Sequence, residues 1–146
     1  LRQSHDQQRQ WCEQIVQTQG DSPERRQLHQ DLIKELKAHA QAEDRYFYVP
    51  LMFDDVGLNI TRHALSEHHD MDELIESIAA LDYSNPHWLV KIKALAEVVL
   101  HHLDEEEHGF FQQAGKILSD KEKTSLAKQY LKEYDKYKKS DKDALV

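Results

Sequence analysis

The chain has 146 residues, 32% of them charged, and a formal net charge of −8 at pH 7. This length suits one domain with a substantial core. The acidic balance leaves no basic surface to neutralise phosphates, which argues against nucleic-acid binding, and no apolar run is long enough to span a membrane. The single cysteine, Cys12, excludes an intrachain disulfide and is typical of a reducing compartment, so we expect a cytoplasmic protein.

The first half of the chain predicts two long helices. Apolar residues recur at helical spacing, and glycine and proline are rare. The first helix runs to about Gln19 and is closed by Gly20. Ser22 followed by Pro23 is an N-cap signal that opens the second helix. We expect that helix to end near residue 48, because Pro50 lacks an N–H donor.

The second half of the chain repeats this arrangement. After an irregular link with a turn at Gly57, a third helix is predicted from about Ile60 to Ala80. Asn85 with Pro86 repeats the cap-and-proline signal and opens a fourth helix, which reaches about residue 113.

A fifth helix follows, because Ser119 and Glu122 have capping-box spacing; it runs to about residue 138 and ends in a charged tail. The short connections within each helix pair predict two antiparallel hairpins. We therefore expect an all-α fold: an up-down-up-down antiparallel four-helix bundle over residues 1–115, with an additional C-terminal helix and tail over residues 116–146. The sequence leaves open whether this helix caps the bundle or mediates a homodimer.

Each bundle helix carries a histidine on its apolar stripe, and two helices add a glutamate one turn later. The inward residues are His5 on the first helix, His39 and Glu43 on the second, His68 on the third, and His102 and Glu106 on the fourth. In contrast, the stripe through His101, Glu105 and His108 is polar, and we expect it to face water.

The six inward residues follow an internal repeat. The same number of residues separates His5 from His39 and His68 from His102, and the helical rise of about 1.5 Å per residue places each pair within roughly one turn of the same height. Two unpaired buried carboxylates would each cost several kcal/mol, and neutral imidazoles cannot neutralise them. A pair of metal ions can, and imidazole with carboxylate suits iron better than manganese or zinc. The alternative is a set of ordinary i,i+4 histidine–glutamate pairs.

Four segments carry a family resemblance: "SHDQQR", "LKAHAQAEDRYFY", "SEHHDMDELI" and "HHLDEEEHGFF". Together they resemble the hemerythrin-like HHE cation-binding domains over most of residues 1–115. The resemblance implies a four-helix bundle that holds a non-haem di-iron centre, with the six inward residues as metal ligands. It further implies bridging carboxylates, an oxo or hydroxo bridge, and an open position for oxygen or a related small molecule.

One departure from the family concerns the third helix. Oxygen-carrying hemerythrins supply five histidines, two of them from this helix, whereas here its stripe offers His68 alone. Asp72 occupies the next inward-spaced position, and His63 and His69 lie off the stripe; these three are secondary ligand candidates that a solvated helix face explains as well. With two histidines and two carboxylate oxygens per iron, a bridge leaves one open position on each ion. We therefore expect a site that turns over or senses oxygen, peroxide or nitric oxide.

Three other functions remain open from the sequence. The protein could be a metal-dependent sensor or iron-binding module that acts through a protein partner without turnover. A ferritin-like oxidase would need two inward Glu-x-x-His pairs, and the Glu105/His108 pair with that spacing is off the stripe. A metal-free helical interaction domain is the last alternative. Whether the protein is a carrier, a sensor or an enzyme is not decided by the sequence.

A few further residues carry weaker expectations. Tyr46 is one turn beyond Glu43 and is expected to face inward, either as a core residue or as a hydrogen-bond partner of the metal bridge. Cys12 is expected to be a small buried hydrophobe. We expect His29 and His87 to lie at the surface.

Overall fold

The fold of the chain, in a computed structural model that describes residues 2–140, is helical, and no strand occurs in that range. The α-helices are α1 (Arg2–Ile15), α2 (Pro23–Glu43), α3 (Val49–Leu51), α4 (Asp55–Ala79), α5 (Pro86–Glu105), α6 (Phe111–Ile117) and α7 (Asp120–Ser140). Two π-helical turns, Asp44–Tyr48 and Glu106–Phe110, join α2 to α3 and α5 to α6. The predicted all-α class is confirmed. None of the described helices is both long and apolar enough to cross a membrane.

The helix starts follow the predicted capping signals. Ser22 directly precedes Pro23, the first residue of α2. Its side chain accepts a hydrogen bond of 3.1 Å from the Arg25 backbone N–H. Asn85 does the same for His87 at the start of α5, at 2.9 Å. Before α7, Ser119 and Glu122 exchange reciprocal side chain–backbone bonds of 3.0 and 3.2 Å. These contacts satisfy N–H groups that have no partner within the helix.

The first helix ends at Ile15, four residues before the predicted end at Gln19. Side chains stop it: the Thr18 hydroxyl donates to the Ile15 carbonyl at 2.7 Å, and the Arg25 guanidinium donates to the Thr18 carbonyl at 2.7 Å. Gly20 has φ of +62°, the left-handed conformation that glycine adopts without strain, so the predicted turn at this residue is confirmed.

The predicted link between the second and third helices is wrong. The helix continues past Pro50 to Leu51, because this proline lies in the first turn after a π-helical turn, where its missing N–H costs little. Gly57 lies inside α4 rather than in a turn. A Cβ atom there would lie 2.1 Å from the backbone oxygen of Leu51, so glycine is needed for the close approach of α3 and α4.

The helices pack α1 against α2 and α5, α4 against α5, and α7 along α2. Buried apolar residues form two clusters. The larger contains Leu32, Ile75 and Leu95 among others, and the smaller contains Tyr48, Leu51 and Ala64 among others. Along α2, α4 and α5 the inward polar residues fall between these clusters, so a polar layer divides the core. The division of the chain at residue 115 stays a prediction.

Candidate metal centre

The six inward residues of the sequence lie in one buried layer. His5, His39, Glu43, His68, His102 and Glu106 are each at most 6% exposed. They form two groups whose ligand atoms lie within 4.8 Å of one another: His5, His39, Glu43 and Glu106 in the first, and Glu43, His68 and His102 in the second. Because Glu43 belongs to both groups, the arrangement offers two adjacent metal positions with a shared carboxylate.

On the α4–α5 side of the layer, carboxylates orient the histidine rings. The Nδ1 atom of His68 donates to Asp44 at 2.7 Å, and the Nδ1 atom of His102 donates to Glu67 at 2.7 Å. An acceptor at Nδ1 leaves the Nε2 lone pair free to point inward. The two Nε2 atoms converge at 3.1 Å from each other, which is unfavourable unless a proton or a metal ion lies between them.

On the α1–α2 side the partners differ. The Nδ1 atom of His5 is 3.4 Å from Glu107, whose carboxylate is also hydrogen-bonded by both terminal nitrogens of Arg9. The Nδ1 atom of His39 has no carboxylate partner; it is 2.7 Å from the hydroxyl of Tyr130 on α7. Burial raises the pKa of Tyr130, so the phenol stays neutral.

The charges in the layer are strongly coupled. Burial by itself would lower the pKa of the two α4–α5 imidazoles, but the hydrogen bonds that these rings donate to nearby carboxylates outweigh it. The pKa of His68 rises to about 10, mainly through Asp44 and Glu43, and that of His102 to about 12, mainly through Glu106 and Glu43. Against its own burial, the pKa of Glu43 lies well below the usual value because of the surrounding imidazoles. The layer therefore requires positive charge, from protons or from metal ions.

The inward atoms of the layer contact one another only at long distances. His5 Nε2 lies 3.4 Å from Glu106 Oε1, and His68 Nε2 lies 3.3 Å from Glu43 Oε1. Within residues 2–140, four buried side-chain atoms lack a hydrogen bond of good geometry, and three of them are His5 Nε2, Glu43 Oε1 and Glu106 Oε1. Each such atom costs about 1–3 kcal/mol if nothing satisfies it. Imidazole nitrogens with carboxylate oxygens are a donor set that binds iron, zinc and manganese. The residues present thus fit a metal ion.

The π-helical turns change which side chains point at the layer. The predicted inward residue Tyr46 is only half-buried, a correction to the sequence analysis. Its place is taken by Tyr48, which is fully buried and donates to Glu106 Oε2 at 2.5 Å. Tyr46 is the third residue after Glu43 and Tyr48 is the fifth; the extra residue of the π-helical turn shifts the inward position along the sequence. Similarly, Phe111 stacks on the His5 ring, with centroids 5.6 Å apart.

The secondary ligand candidates lie outside the layer. Asp72 is exposed and borders a groove with Lys37 and Tyr137. His69 is exposed and pairs with Glu73 at 3.1 Å. His63 is also exposed, and its Nε2 atom lies 2.8 Å from Glu105 and 3.5 Å from Glu67. These three residues form a surface cluster, which contacts His102 through Glu67.

His29 corrects another expectation, because it is buried and not at the surface. Its Nδ1 atom is 2.8 Å from the Tyr83 hydroxyl, and burial lowers its pKa to about 4. His87 is exposed as predicted. Cys12 is buried, which raises the pKa of its thiol to about 12 and confirms the expected small hydrophobe.

The sequence analysis missed the residues that orient the ligands. Asp44, Glu67 and Glu107 each directly precede or follow a predicted ligand, and this adjacency was the available signal, although acids in such positions usually face water. Tyr130 gave no signal, because it lies 91 residues from His39.

Comparison with known proteins identifies a protein family for this chain. The sequence profile described as the Hemerythrin HHE cation binding domain matches residues 1–114. A protein named DNA nickase from Nostoc sp. (strain PCC 7120 / SAG 25.82 / UTEX 2576) is 27% identical over 115 residues, which cover 79% of this chain and 32% of that protein. This chain therefore spans about a third of the length of that relative. No solved structure matches the chain. The match over most of its length shows that the chain belongs to the family of hemerythrin HHE cation binding domains.

Proposed function

We propose that this domain holds two iron ions in the buried layer, and that this non-haem di-iron centre binds or reacts with a small molecule such as oxygen, peroxide or nitric oxide. His5 and His39 would serve one ion, His68 and His102 the other, with Glu43 and Glu106 as the carboxylates between them. The observation that carries the proposal is the convergence of three buried atoms that lack a hydrogen bond of good geometry, namely His5 Nε2, Glu43 Oε1 and Glu106 Oε1.

When bound, iron would supply redox chemistry and an open coordination position for the small molecule. The protein's own residues hold the imidazoles with Nε2 inward and keep the layer dry. Asp44 and Glu67 fix two of the rings, and the Tyr48 hydroxyl holds Glu106 through one oxygen, so the other oxygen points into the layer. The apolar clusters above and below exclude water from the ligands.

A cavity of about 300 Å³ lies between α7 and the first π-helical turn. Its wall is almost entirely apolar and includes Tyr46, Phe47, Leu126 and Tyr130. Two of these residues lead to the centre: Tyr130 bonds His39, and Phe47 packs edge-on against Tyr48. An uncharged diatomic molecule or peroxide suits such a wall better than a charged substrate.

The same proposal includes the topology of the domain, in which α1, α2, α4 and α5 form an up-down-up-down antiparallel bundle. It also includes a cytoplasmic location, a possible homodimer, and a function that involves neither nucleic acid nor a membrane. The name of the Nostoc relative describes a much longer chain. The net charge of −8 favours a small-molecule ligand over a nucleic acid for this one.

A second candidate is a metal-dependent sensor that acts through a protein partner without turnover. An exposed apolar patch next to α3 favours it: Phe53 is 94% exposed, and Val49, Met52 and Val56 are exposed around it. Such patches on a small domain often mark contact surfaces. Consumption of peroxide by the iron-loaded protein would favour the first candidate, and an iron-dependent partner interaction without consumption the second.

The test of metal binding compares two glutamates that each follow a histidine by four residues. Glu43→Gln removes the shared ligand, whereas Glu73→Gln alters an exposed pair with His69. After expression in iron-supplemented medium, we expect about two irons per chain in the wild type and in Glu73→Gln, and loss of most iron in Glu43→Gln. Near-ultraviolet bands that shift with azide or peroxide would identify the coupled centre. A folded wild type that takes up no iron on anaerobic reconstitution would refute the proposal.

A further inference from the structure

The C-terminal helix α7 lies beyond the part of the chain that matches the family profile, yet it reaches the buried layer. Three of its residues, spaced one turn apart, face α2. Tyr130 bonds His39, and Tyr134 donates to the buried Glu35 at 2.6 Å; Lys138 also contacts Glu35, at 3.0 Å. Because Glu35 and His39 are themselves one turn apart, the two helices meet along matching stripes.

The hydrogen-bond partner of His39 differs in kind from those of the other inward histidines. A carboxylate can only accept a hydrogen bond, so Asp44 and Glu67 keep a proton on the Nδ1 atoms of His68 and His102. A phenol hydroxyl can both donate and accept. Tyr130 therefore satisfies His39 with the proton on either ring nitrogen.

Each position of the His39 ring proton matches a different partner at Nε2. The His39 Nε2 atom lies 2.9 Å from Glu43 Oε2, where an Nε2 proton can be donated to the carboxylate while Tyr130 donates to Nδ1. Metal binding requires the Nε2 lone pair, so the proton must then sit on Nδ1 and be donated to the Tyr130 oxygen. The Tyr130 hydroxyl then changes from donor to acceptor, and the His39 ring keeps its position.

His5, the other histidine on the α1–α2 side, also has a weaker hydrogen-bond acceptor at Nδ1. Glu107 is 3.4 Å from His5 Nδ1, and its charge is shared with the Arg9 guanidinium, which bonds both carboxylate oxygens. A full carboxylate partner raises the basicity of a ligating histidine, whereas a neutral phenol or a paired carboxylate raises it less. The two sides of the layer are thus unequal in donor strength.

Resting on the proposed di-iron centre, we propose that Tyr130 is a positioning residue for His39, and that the His5/His39 side is the weaker and more exchangeable metal position. The His68/His102 side, fixed by Asp44 and Glu67, is the tighter position and fills first. The C-terminal helix is in this way part of the metal centre.

Two phenylalanine variants on the same helix test this inference. Tyr130→Phe removes the hydroxyl that bonds His39, and Tyr134→Phe removes a hydroxyl that bonds Glu35 and no ligand. The metal-free proteins are titrated anaerobically with Co²⁺. The order of filling is followed through the histidine ring signals that Co²⁺ broadens in NMR spectra, which a merely structural defect would not reorder.

We expect two binding steps in the wild type, with the His68 and His102 signals broadened first. In Tyr130→Phe the second step should weaken by about 10- to 100-fold while the first stays unchanged, and Tyr134→Phe should leave both steps unchanged. In metal-free wild type, ¹⁵N shifts should show the His39 proton on Nε2.

Several outcomes would overturn the inference. Two equal steps in the wild type, an unchanged second step in Tyr130→Phe, or an equal effect of Tyr134→Phe would each reject it while leaving the two-ion centre intact. A wild type that binds no Co²⁺ and no iron would instead reject the proposed function, and with it the inference.

Discussion

At the scale of single residues, the surroundings decide whether a buried histidine is charged. His68 and His29 are both at most 6% exposed, and burial disfavours the charged form of both. Around His68 the carboxylates of Asp44 and Glu43 outweigh burial and raise the pKa to about 10. His29 instead packs edge-on against Tyr83 and Trp88, and its pKa falls to about 4. The same buried residue type therefore has a raised pKa beside carboxylates and a lowered pKa among aromatic rings.

The low pKa of His29 predicts a loss of stability in acid. The folded-state pKa of about 4 is below the unfolded value of 6.5, so the unfolded chain takes up the proton first. This contribution to the free energy of unfolding is fully present above pH 6.5 and is lost as the pH falls towards 4. At about 1.4 kcal/mol per pKa unit, we expect a loss of roughly 2–3 kcal/mol between pH 7 and pH 4.5.

Urea unfolding of the metal-free protein at several pH values measures this loss. His29→Gln keeps a group that can bond Tyr83 but cannot take up a proton. Between pH 7 and pH 4.5 its free energy of unfolding should therefore fall by roughly 2–3 kcal/mol less than that of the wild type. His87→Gln changes an exposed histidine and should follow the wild type. Equal pH dependence in wild type and His29→Gln would show that His29 titrates normally.

At the scale of elements, the two π-helical turns re-aim the side chains next to the centre. Both occur directly at a candidate ligand: one begins after Glu43 and the other begins at Glu106. Single π-helical turns inside α-helices are rare and often lie at functional sites. Here the extra residue brings Tyr48 to Glu106 and Phe111 to His5, so the turns close the layer from one end of the bundle.

The first π-helical turn predicts different effects for two nearby tyrosines. Tyr48→Phe removes the donor to a buried carboxylate oxygen of Glu106, and we expect it to lower the free energy of unfolding of the metal-free protein by about 1–3 kcal/mol. Tyr46→Phe removes a hydroxyl from a half-buried ring at the cavity wall and should change it by less than about 0.5 kcal/mol. Denaturant unfolding of both variants is the measurement. A larger effect of Tyr46→Phe would mean that the helix runs on without the extra residue.

At the scale of the whole molecule, the polar layer divides the core of a small domain and makes its stability depend on what fills the layer. Apolar residues that would otherwise form one cluster lie on either side of four imidazoles and two carboxylates. Three candidate ligand atoms in the layer lack a hydrogen bond of good geometry, and its carboxylates must be balanced by positive charge. A bound cation would relieve both costs.

Metal should therefore stabilise the fold as well as supply chemistry. An ion present at 100 times its dissociation constant adds about 2.7 kcal/mol to the free energy of unfolding for each site. We expect the thermal midpoint of the iron-loaded wild type to fall when a chelator removes the iron, and to recover on reloading. In Glu43→Gln the midpoint should not respond to either step. A wild-type midpoint that is the same with and without iron would show that the layer does not bind it.

The sequence by itself determined the periodic features of this protein. Helical spacing placed His5, His39, Glu43, His68, His102 and Glu106 on buried stripes, because the face of a helix depends only on residues three and four apart. Cap signals placed the starts of α2, α5 and α7 for the same reason: their hydrogen bonds are local. The family resemblance followed from these residues and is confirmed by the match over residues 1–114.

Only the tertiary structure decided the features that depend on distant contacts. The π-helical turns, the burial of His29 against Tyr83, the close approach at Gly57 and the hydrogen bond from Tyr130 to His39 all join residues that no local pattern connects. A helix end or a ring tautomer responds to whatever packs against it, and packing is set by the whole chain. The burial of the six candidate ligands could thus be predicted from spacing, whereas the groups that contact their rings could not.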